Sequence, residues 1–435
     1  MRLFLQCAIT LCAMLLACCA SPAKLRTESI AKPSATGDYQ SAISNIEKNK
    51  KKLYNSEDAF LLEFDLGLLH HYNQNYEQSI KHLANAEHIL EDLYTRSLTN
   101  EAAAILTNDN VRPYRSYPFE EQWLHTIQIL NFMALNEIDG AVVQSRRALL
   151  AVQSLEEKEG EKFNESGLLQ YLIALSFERQ KSEDDARIAY DNAKKHFGNS
   201  GYTPGQAKNT PQNEQEIIVV GYAGLSPVLG ESKFWGTYAK DGALVLYYKD
   251  ATGKTQTIVL AALGLGGGFS GQTVTIQFAI PKMVERVSQT SGFSVSVSGS
   301  GGQEKTEMFS DTKSLLKQDL DNKQKTTLLR TAGRVITRTI AASKAKDKVQ
   351  TGNGLVDLAV NLGTDIFTGV LEEADLRLGS AMPKTLQILR IPVEPGRHSV
   401  SIDILDNFGR KTGSFKQNVE IKKGEKAFVF APSLK

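Results

Sequence analysis

The chain has 435 residues, enough for two or three domains, and its hydrophobic content of 41% and charged content of 23% are those of a globular protein. Its 50 Lys and Arg balance 49 Asp and Glu, so the net charge of +1 gives no electrostatic case for a nucleic-acid partner. The cysteines are Cys7, Cys12, Cys18 and Cys19, which excludes a disulfide framework or a thiolate metal site from everything downstream.

Arg2 is followed by an apolar run from Leu3 to Ala17, interrupted only by Gln6 and Thr10. That is the length of a signal-peptide core, short of the ~20 apolar residues a bilayer-spanning helix needs. The stretch Leu15-Leu16-Ala17-Cys18 resembles a bacterial lipobox. In such proteins the cysteine sulfur takes a diacylglycerol, cleavage falls just before it, and the new amino terminus is often acylated. Cys19 is the alternative acceptor, but Cys18 would then sit at the cleavage position, where Ala or Gly is usual. Cys18 is the expected lipidation site. Two or three acyl chains hold a protein on a membrane where one holds it only marginally. Cys19 follows Cys18 where the aspartate of an inner-membrane retention signal would stand. The expected location is therefore the outer membrane, lipid-anchored and facing the periplasm. Residues 1–17 read as a lipoprotein signal peptide and 18–37 as lipid anchor and flexible tether, small, polar and proline-containing.

From 38 to 198 apolar residues recur at three- and four-residue spacing, the helical period. A tetratricopeptide (TPR) cadence runs through this region. Leu66-Gly67, Tyr76-Glu77 and then Ser79, Leu83 and Ala86 occupy its successive positions, and it returns at Ala186, Tyr190 and Ala193. It is weaker at Ala141, Ser145 and Ala148, and at Tyr39, Ala42 and Ile46. A TPR-like helical repeat domain with irregular spacing is expected over 38–198. Residues 199–215 are rich in Gly, Pro, Asn and Gln and read as a linker. After it the period changes to two. Strands are expected at "EIIVVGYAG", "ALVLYYKD", "KTQTIVLAA", "TVTIQFAIP" and "FSVSVSG", then helices over roughly 310–346 and 355–375. Four closing strands, "LQILRIPV", "HSVSIDIL", "KQNVEI" and "EKAFVFAP", resemble a small antiparallel sandwich. The expected architecture is multidomain: an N-terminal all-α TPR-like solenoid, then an α+β domain with antiparallel strands over 216–435 that ends in that sandwich-like region.

Few motifs point to chemistry. Gly266 to Gly271 fit GxGxxG, but a strand pattern follows where a dinucleotide site needs a helix N-terminus. The reading is a flexible connection, or an apolar run from Ile258 to Phe269 that lies against a partner or membrane. The seven histidines show no metal-ligand spacing, and no GxSxG elbow occurs. Adjacent pairs such as Asp184-Asp185 and Glu372-Glu373 read as solvated charges. No catalytic residue, cofactor or metal is expected.

The most distinctive block is Val111 to Leu150, a Tyr- and Pro-rich loop followed by a helical hairpin. With Phe119-Glu120, Leu130-Asn131 and Arg146-Arg147 it resembles a family of bacterial TPR-containing lipoproteins of unknown function. "VVGYAGLSPVLGE", "FAIPKM" and "EEADLRLGSAMPKTLQILRIPVEPGRHSV" extend the resemblance over most of the chain downstream of Cys18. The sequence departs from that family at Gly379-Ser380, where a tryptophan is frequent. The resemblance implies no reaction. Arg112, Tyr114, Arg115 and Tyr117 on one loop, with Arg146 and Arg147, are the candidate partner-binding residues, being types enriched at binding hot spots. The expected function is a lipid-anchored envelope scaffold that binds protein partners through a TPR-like groove, in cell-envelope maintenance or regulation of peptidoglycan synthesis. The alternatives are a subunit of an oligomeric, membrane-associated complex built through 258–269 and 354–370, and an envelope enzyme with a site in the C-terminal half.

Overall fold

The computed structural model describes residues 22–97, 112–160, 163, 165–199, 201–207, 215–239, 242–260, 273–299, 301–349 and 372–435. The signal peptide, Cys18, the GxGxxG stretch and the apolar segment 354–370 lie outside them, as does most of 258–269.

Eight helices among the described residues pair as four hairpins. They are α1 (Pro22–Ala35) with α2 (Tyr39–Leu53), α3 (Ala59–Tyr72) with α4 (Tyr76–Ser97), α5 (Pro118–Ala134) with α6 (Ile138–Glu159), and α7 (Gly167–Gln180) with α8 (Glu183–Asn199). The small residues of the repeat cadence sit where helices cross. A Cβ on Gly67 would meet Leu83 at 2.5 Å, and Ala86, Ala141, Ser145, Ala148, Ala186 and Ala193 are buried. The last three hairpins turn through one left-handed residue each: Gln74 (φ 59°), Asn136 (φ 58°) and Lys181 (φ 65°). That conformation costs an L-residue roughly 1 kcal/mol, and packing holds it here.

The expectation of a flexible tether over 18–37 is corrected for 22–35. Those residues form α1, which buries Arg26, Ile30 and Ser34 against the fold. Ile30 belongs to the main core, and Arg26 reaches Asp58 at 3.5 Å.

The inner helices α3, α5 and α7 bury almost every residue. A helix apolar all round must be covered on two sides. Helices α4, α6 and α8 cover one; the C-terminal half covers the other. The main core runs without interruption from Ile30 through Phe64, Leu124 and Tyr171 to Ile218, Tyr222, Leu378, Leu386 and Leu434. The 199–215 stretch thus marks a change of secondary structure, and the core crosses it. Gln206 ties it down, its N–H donating to Glu307 (3.2 Å) and its side-chain oxygen accepting from the N–H of Arg390 (2.8 Å).

The C-terminal half holds β1 (Glu216–Leu225), β2 (Val228–Tyr238), β3 (Leu244–Lys249), β4 (Thr255–Leu260), β5 (Val274–Val284), β6 (Gly292–Val297), β7 (Gln303–Lys305), β8 (Glu307–Asp311), α9 (Thr312–Val349), β9 (Pro383–Pro392), β10 (Gly396–Leu405), β11 (Lys411–Ile421) and β12 (Lys426–Ser433). Three sheets form, with orders β12-β1-β9-β8, β11-β10-β6-β7 and β4-β3-β2-β5. The first two pack face to face through Ile217, Val219, Leu389 and Val429 on one side and Phe293, Val295, Val400 and Ile402 on the other. The third rests on α9 through Phe234, Leu246, Ile276 and Phe278 against Leu328, Ala332 and Ile336. Three expectations are corrected. The last four strands do not form a sandwich among themselves but divide between two sheets with β1, β6, β7 and β8. Strand β1 pairs with β12 in parallel, Ile217 beside Ala427, so the pairing is not all antiparallel. Of the helix expected over 355–375, residues 355–371 lie outside the described residues, and 372–375 are not helical: Glu372 bridges to Phe278 of β5.

Candidate functional site

The site begins with two carboxylates that the sequence presents as ordinary helix charges. Asp65 lies in α3 and Glu120 at the third position of α5, and both are fully buried. Pro118 opens α5 at a position whose N–H needs no partner. Glu120 Oε2 folds back to accept the N–H of Tyr117 (2.8 Å) and the hydroxyl of Tyr114 (2.5 Å). Its Oε1 accepts the N–H of Gly379 (2.8 Å). Asp65 Oδ1 accepts the N–H of Ser380 (2.6 Å) and of Ala381 (3.1 Å), while Oδ2 accepts the Tyr54 hydroxyl (2.8 Å). Two helix carboxylates thus hold three consecutive amides of the C-terminal half. Burial pushes the Glu120 carboxyl up to about 7, against the pull of these donors. Burial also raises Asp65, outweighing Arg26 and the same kinds of donor.

Gly379 sits where a side chain would clash. A Cβ there would stand 2.8 Å from the Phe64 ring and 3.3 Å from Glu120. The helical face accepts bare backbone at this point and has no room for an indole.

Arg377 locks the approach to this clamp. Its guanidinium grips Asp375 with two donors (2.8 and 2.7 Å), reaches Asp58 at 3.4 Å and donates to the carbonyl of Arg112 (2.9 Å). It also lies over the Tyr114 ring at 5.3 Å. Beyond Arg377 a cleft of about 200 Å³ opens between the 112–117 loop, α9, β5 and residues 372–377. Arg112, Arg115, Tyr117, Lys323, Arg330 and Glu373 are among its walls. Lys323 stands over the Tyr117 ring at 5.2 Å. Glu372 is held by Arg334 (2.9 Å) and Arg338 (2.5 Å), and its carbonyl accepts the N–H of Ala279, which fixes the far wall.

The candidate residues are therefore divided. Arg112, Tyr114, Arg115 and Tyr117 come together at the cleft. Tyr114, however, is only 2% exposed, with its hydroxyl committed to Glu120 and its ring against Phe60, so its part is structural. Arg115 is exposed. Arg146 and Arg147 lie on α6, away from the cleft lining; Arg147 pairs with Glu87 (3.0 Å) and Glu91 (3.6 Å) of α4, and Arg146 is exposed. A larger correction concerns the groove. The inner face of α3, α5 and α7, where a TPR-like array would receive a partner, is occupied by the chain's own C-terminal half.

Two further buried clusters fasten that half. His71 of α3 sits between the Asn131 amide oxygen and the Tyr222 hydroxyl of β1, each at 2.6 Å. Asn131 passes the chain on to Ser79, which donates to the carbonyl of Gly67 (2.7 Å). The Leu66-Gly67 and Leu130-Asn131 landmarks thus meet around one histidine. Burial holds its imidazole down to about 4, so it is neutral near pH 7. The second cluster is ionic. Arg390 of β9 and Lys426 of β12 share Glu216 of β1 and Glu178 of α7, with the Tyr171 and Tyr190 hydroxyls alongside.

Among the described residues no three His, Cys, Asp or Glu side chains are grouped to hold a metal ion, and no helix is long and apolar enough to cross a membrane. Comparison with protein-family models, with curated proteins and with solved structures yields no match for this chain.

Proposed function

We propose that the chain is a lipid-anchored envelope scaffold, held on the outer membrane through Cys18, that binds a protein partner at the cleft beside the 112–117 loop. Its helical hairpins are read as a degenerate TPR-like array whose groove is filled from within, by 375–382 and the strands behind it. The observation that carries this reading is the convergence at the cleft. The loop contributes Arg112, Arg115 and Tyr117, helix α9 adds Lys323 and Arg330, and Glu373 faces them. Arg side chains and half-buried tyrosines on a fixed wall are what a protein interface uses for its anchors. The internal clamp keeps that wall rigid, which lowers the ordering cost of binding. Cell-envelope maintenance, including regulation of peptidoglycan synthesis, is the biological setting proposed.

Arg115→Glu combined with Lys323→Glu tests the reading, since both side chains reach solvent and the clamp is left intact. In a cross-linking pull-down from envelopes, the wild-type chain should recover a stoichiometric protein partner that the double variant loses. Equal recovery, with unchanged thermal unfolding, would remove the cleft from the account. Tyr114 is the wrong residue to truncate, because its loss would remove the hydroxyl that Glu120 accepts and the ring packed on Phe60, whether or not a partner binds there.

A further inference from the structure

Residues 22–35 form a helix packed into the fold, and this has a consequence for where the molecule sits. Only Cys19, Ala20 and Ser21 separate Cys18 from Pro22, the first residue of α1. Four Cα steps span at most about 14 Å. Arg26, one turn into α1, reaches the carbonyl of Leu53 at the end of α2 (3.5 Å), and Asn45 donates to the carbonyl of Ser29 (3.4 Å). The two helices therefore run antiparallel, and the start of α1 lies beside the end of α2. That end reads Lys48-Asn49-Lys50-Lys51-Lys52, and all four lysines are exposed. Lys24, on the first turn of α1, is exposed at the same end. The acidic groups nearby are Glu28 and Glu47, both exposed, Glu57, and Glu63, whose carboxylate is engaged by His82 (2.8 Å) and Asn85 (3.2 Å).

One basic residue suffices to complement a helix C-terminus, and four within five positions repel one another. Nearby carboxylates offset part of that repulsion, Glu63 among them feeling the Lys50 charge, and counter-charge supplied from outside relieves the rest. An anionic membrane supplies it within a Debye length of about 8–10 Å, comparable to the short reach from the acyl anchor. We propose that Lys24, Lys48, Lys50, Lys51 and Lys52 form a docking surface for the anionic phospholipid headgroups of the membrane in which the chain is anchored. The inference rests on the Cys18 anchor proposed above. It makes the scaffold a molecule standing on the bilayer by the α1–α2 end, not one swinging on a long leash. Asp58 bridges Arg26 and Arg377, so the Arg112 end of the cleft is close to that same membrane-facing end.

The test uses the full chain produced with its leader and reconstituted into vesicles of phosphatidylcholine alone or with one-third phosphatidylglycerol. Lysine reactivity toward an amine-acylating reagent is mapped by mass spectrometry, and the intact N-terminal peptide is weighed in the same sample. A lysine held at an anionic surface partitions to it roughly fivefold more strongly, so labelling of Lys48 to Lys52 should fall at least about threefold in the phosphatidylglycerol vesicles. Lys416 and Lys423, exposed on the far sheet, should not change. Lys50→Gln, Lys51→Gln and Lys52→Gln together should return Lys24 and Lys48 to their reactivity in neutral vesicles. Equal labelling of an acylated chain in both vesicles would overturn the docking surface and leave the anchor standing. An unacylated terminus would remove the anchor, and protection by phosphatidylglycerol would then decide the lysines alone.

Discussion

Replacing Asp65 by Ala should loosen the whole C-terminal half from the helical hairpins. The side chain is fully buried and accepts three hydrogen bonds, from the Tyr54 hydroxyl and from the amides of Ser380 and Ala381. A buried donor left without its acceptor costs about 1–3 kcal/mol, so three such donors put the gross loss at about 3–9 kcal/mol. Part is offset. Burial already raises the Asp65 carboxyl above the usual range, so truncation also removes a desolvated charge. A net destabilisation of about 2–4 kcal/mol is expected, large against the 5–15 kcal/mol typical of a folded protein. Asp65→Asn keeps one oxygen for the two amides and lets its amide donate to Tyr54, so it should cost less than the alanine variant. Urea unfolding of both variants, followed by circular dichroism and by the two tryptophans, Trp123 in α5 and Trp235 in β2, reads these values. An alanine variant within about 0.5 kcal/mol of wild type, the range of an ordinary surface substitution, would refute the clamp.

Two other predictions follow from the buried charges. The Glu120 carboxyl titrates at about 7 in the fold against an ordinary 4.5, so the native state holds its proton where the unfolded state has released it. Its contribution to stability therefore falls as pH rises from 4.5 to 7, by about 3 kcal/mol. Glu120→Gln does not titrate, so the stability difference between variant and wild type should move in the variant's favour by up to that amount across the window. His70, His71 and His125, all held down to about 4, are present in both proteins and cancel in the comparison. Denaturation midpoints at pH 4.5, 5.5, 7 and 8 measure the trend, and a pH-independent difference would contradict it. In the ionic cluster, Arg390→Ala removes the guanidinium that Glu178 and Glu216 share and should cost about 3–5 kcal/mol. Arg390→Met and Lys426→Met with Glu178→Gln and Glu216→Gln should recover most of that in the same assay; a single variant no worse than the quadruple would show that the cluster is solvated.

The three- and four-residue apolar spacing placed the helices because it is a local property. Gly67 and Leu83 meet as the pattern implies, and so do the small residues of α6 and α8. Strand alternation placed β1, β3, β4, β5 and β6 for the same reason. Strand β2 escaped because "VLGESKFWGTY" carries Gly230, Glu231 and Lys233 in the part that interrupts its alternation. The β1–β12 pairing joins residues 210 positions apart, beyond any local signal. Helix α1 escaped because "PAKLRTESIAKPSA" is polar and holds Pro33, and tertiary contacts of Arg26, Ile30 and Ser34 stabilise it where propensity alone does not. The loop singled out in the sequence supplies Arg112, Arg115 and Tyr117 to the cleft wall. The types Tyr and Arg do not say which side chain is committed inward, and Tyr114 is. Asp65 and Glu216 look like solvated charges until the fold buries them.

The inner face of the hairpins is taken by the chain's own 375–382 segment and the sheet behind it. Hydrogen exchange of the full chain at Gly379, Ser380 and Ala381 tests it most directly, because those three amides owe their protection to Glu120 and Asp65 alone. The account predicts exchange as slow as in the middle of α5, at Leu124 to Leu130. Exchange as fast as at the exposed turn around Phe408 would mean that the groove is open and that the C-terminal half is not its occupant.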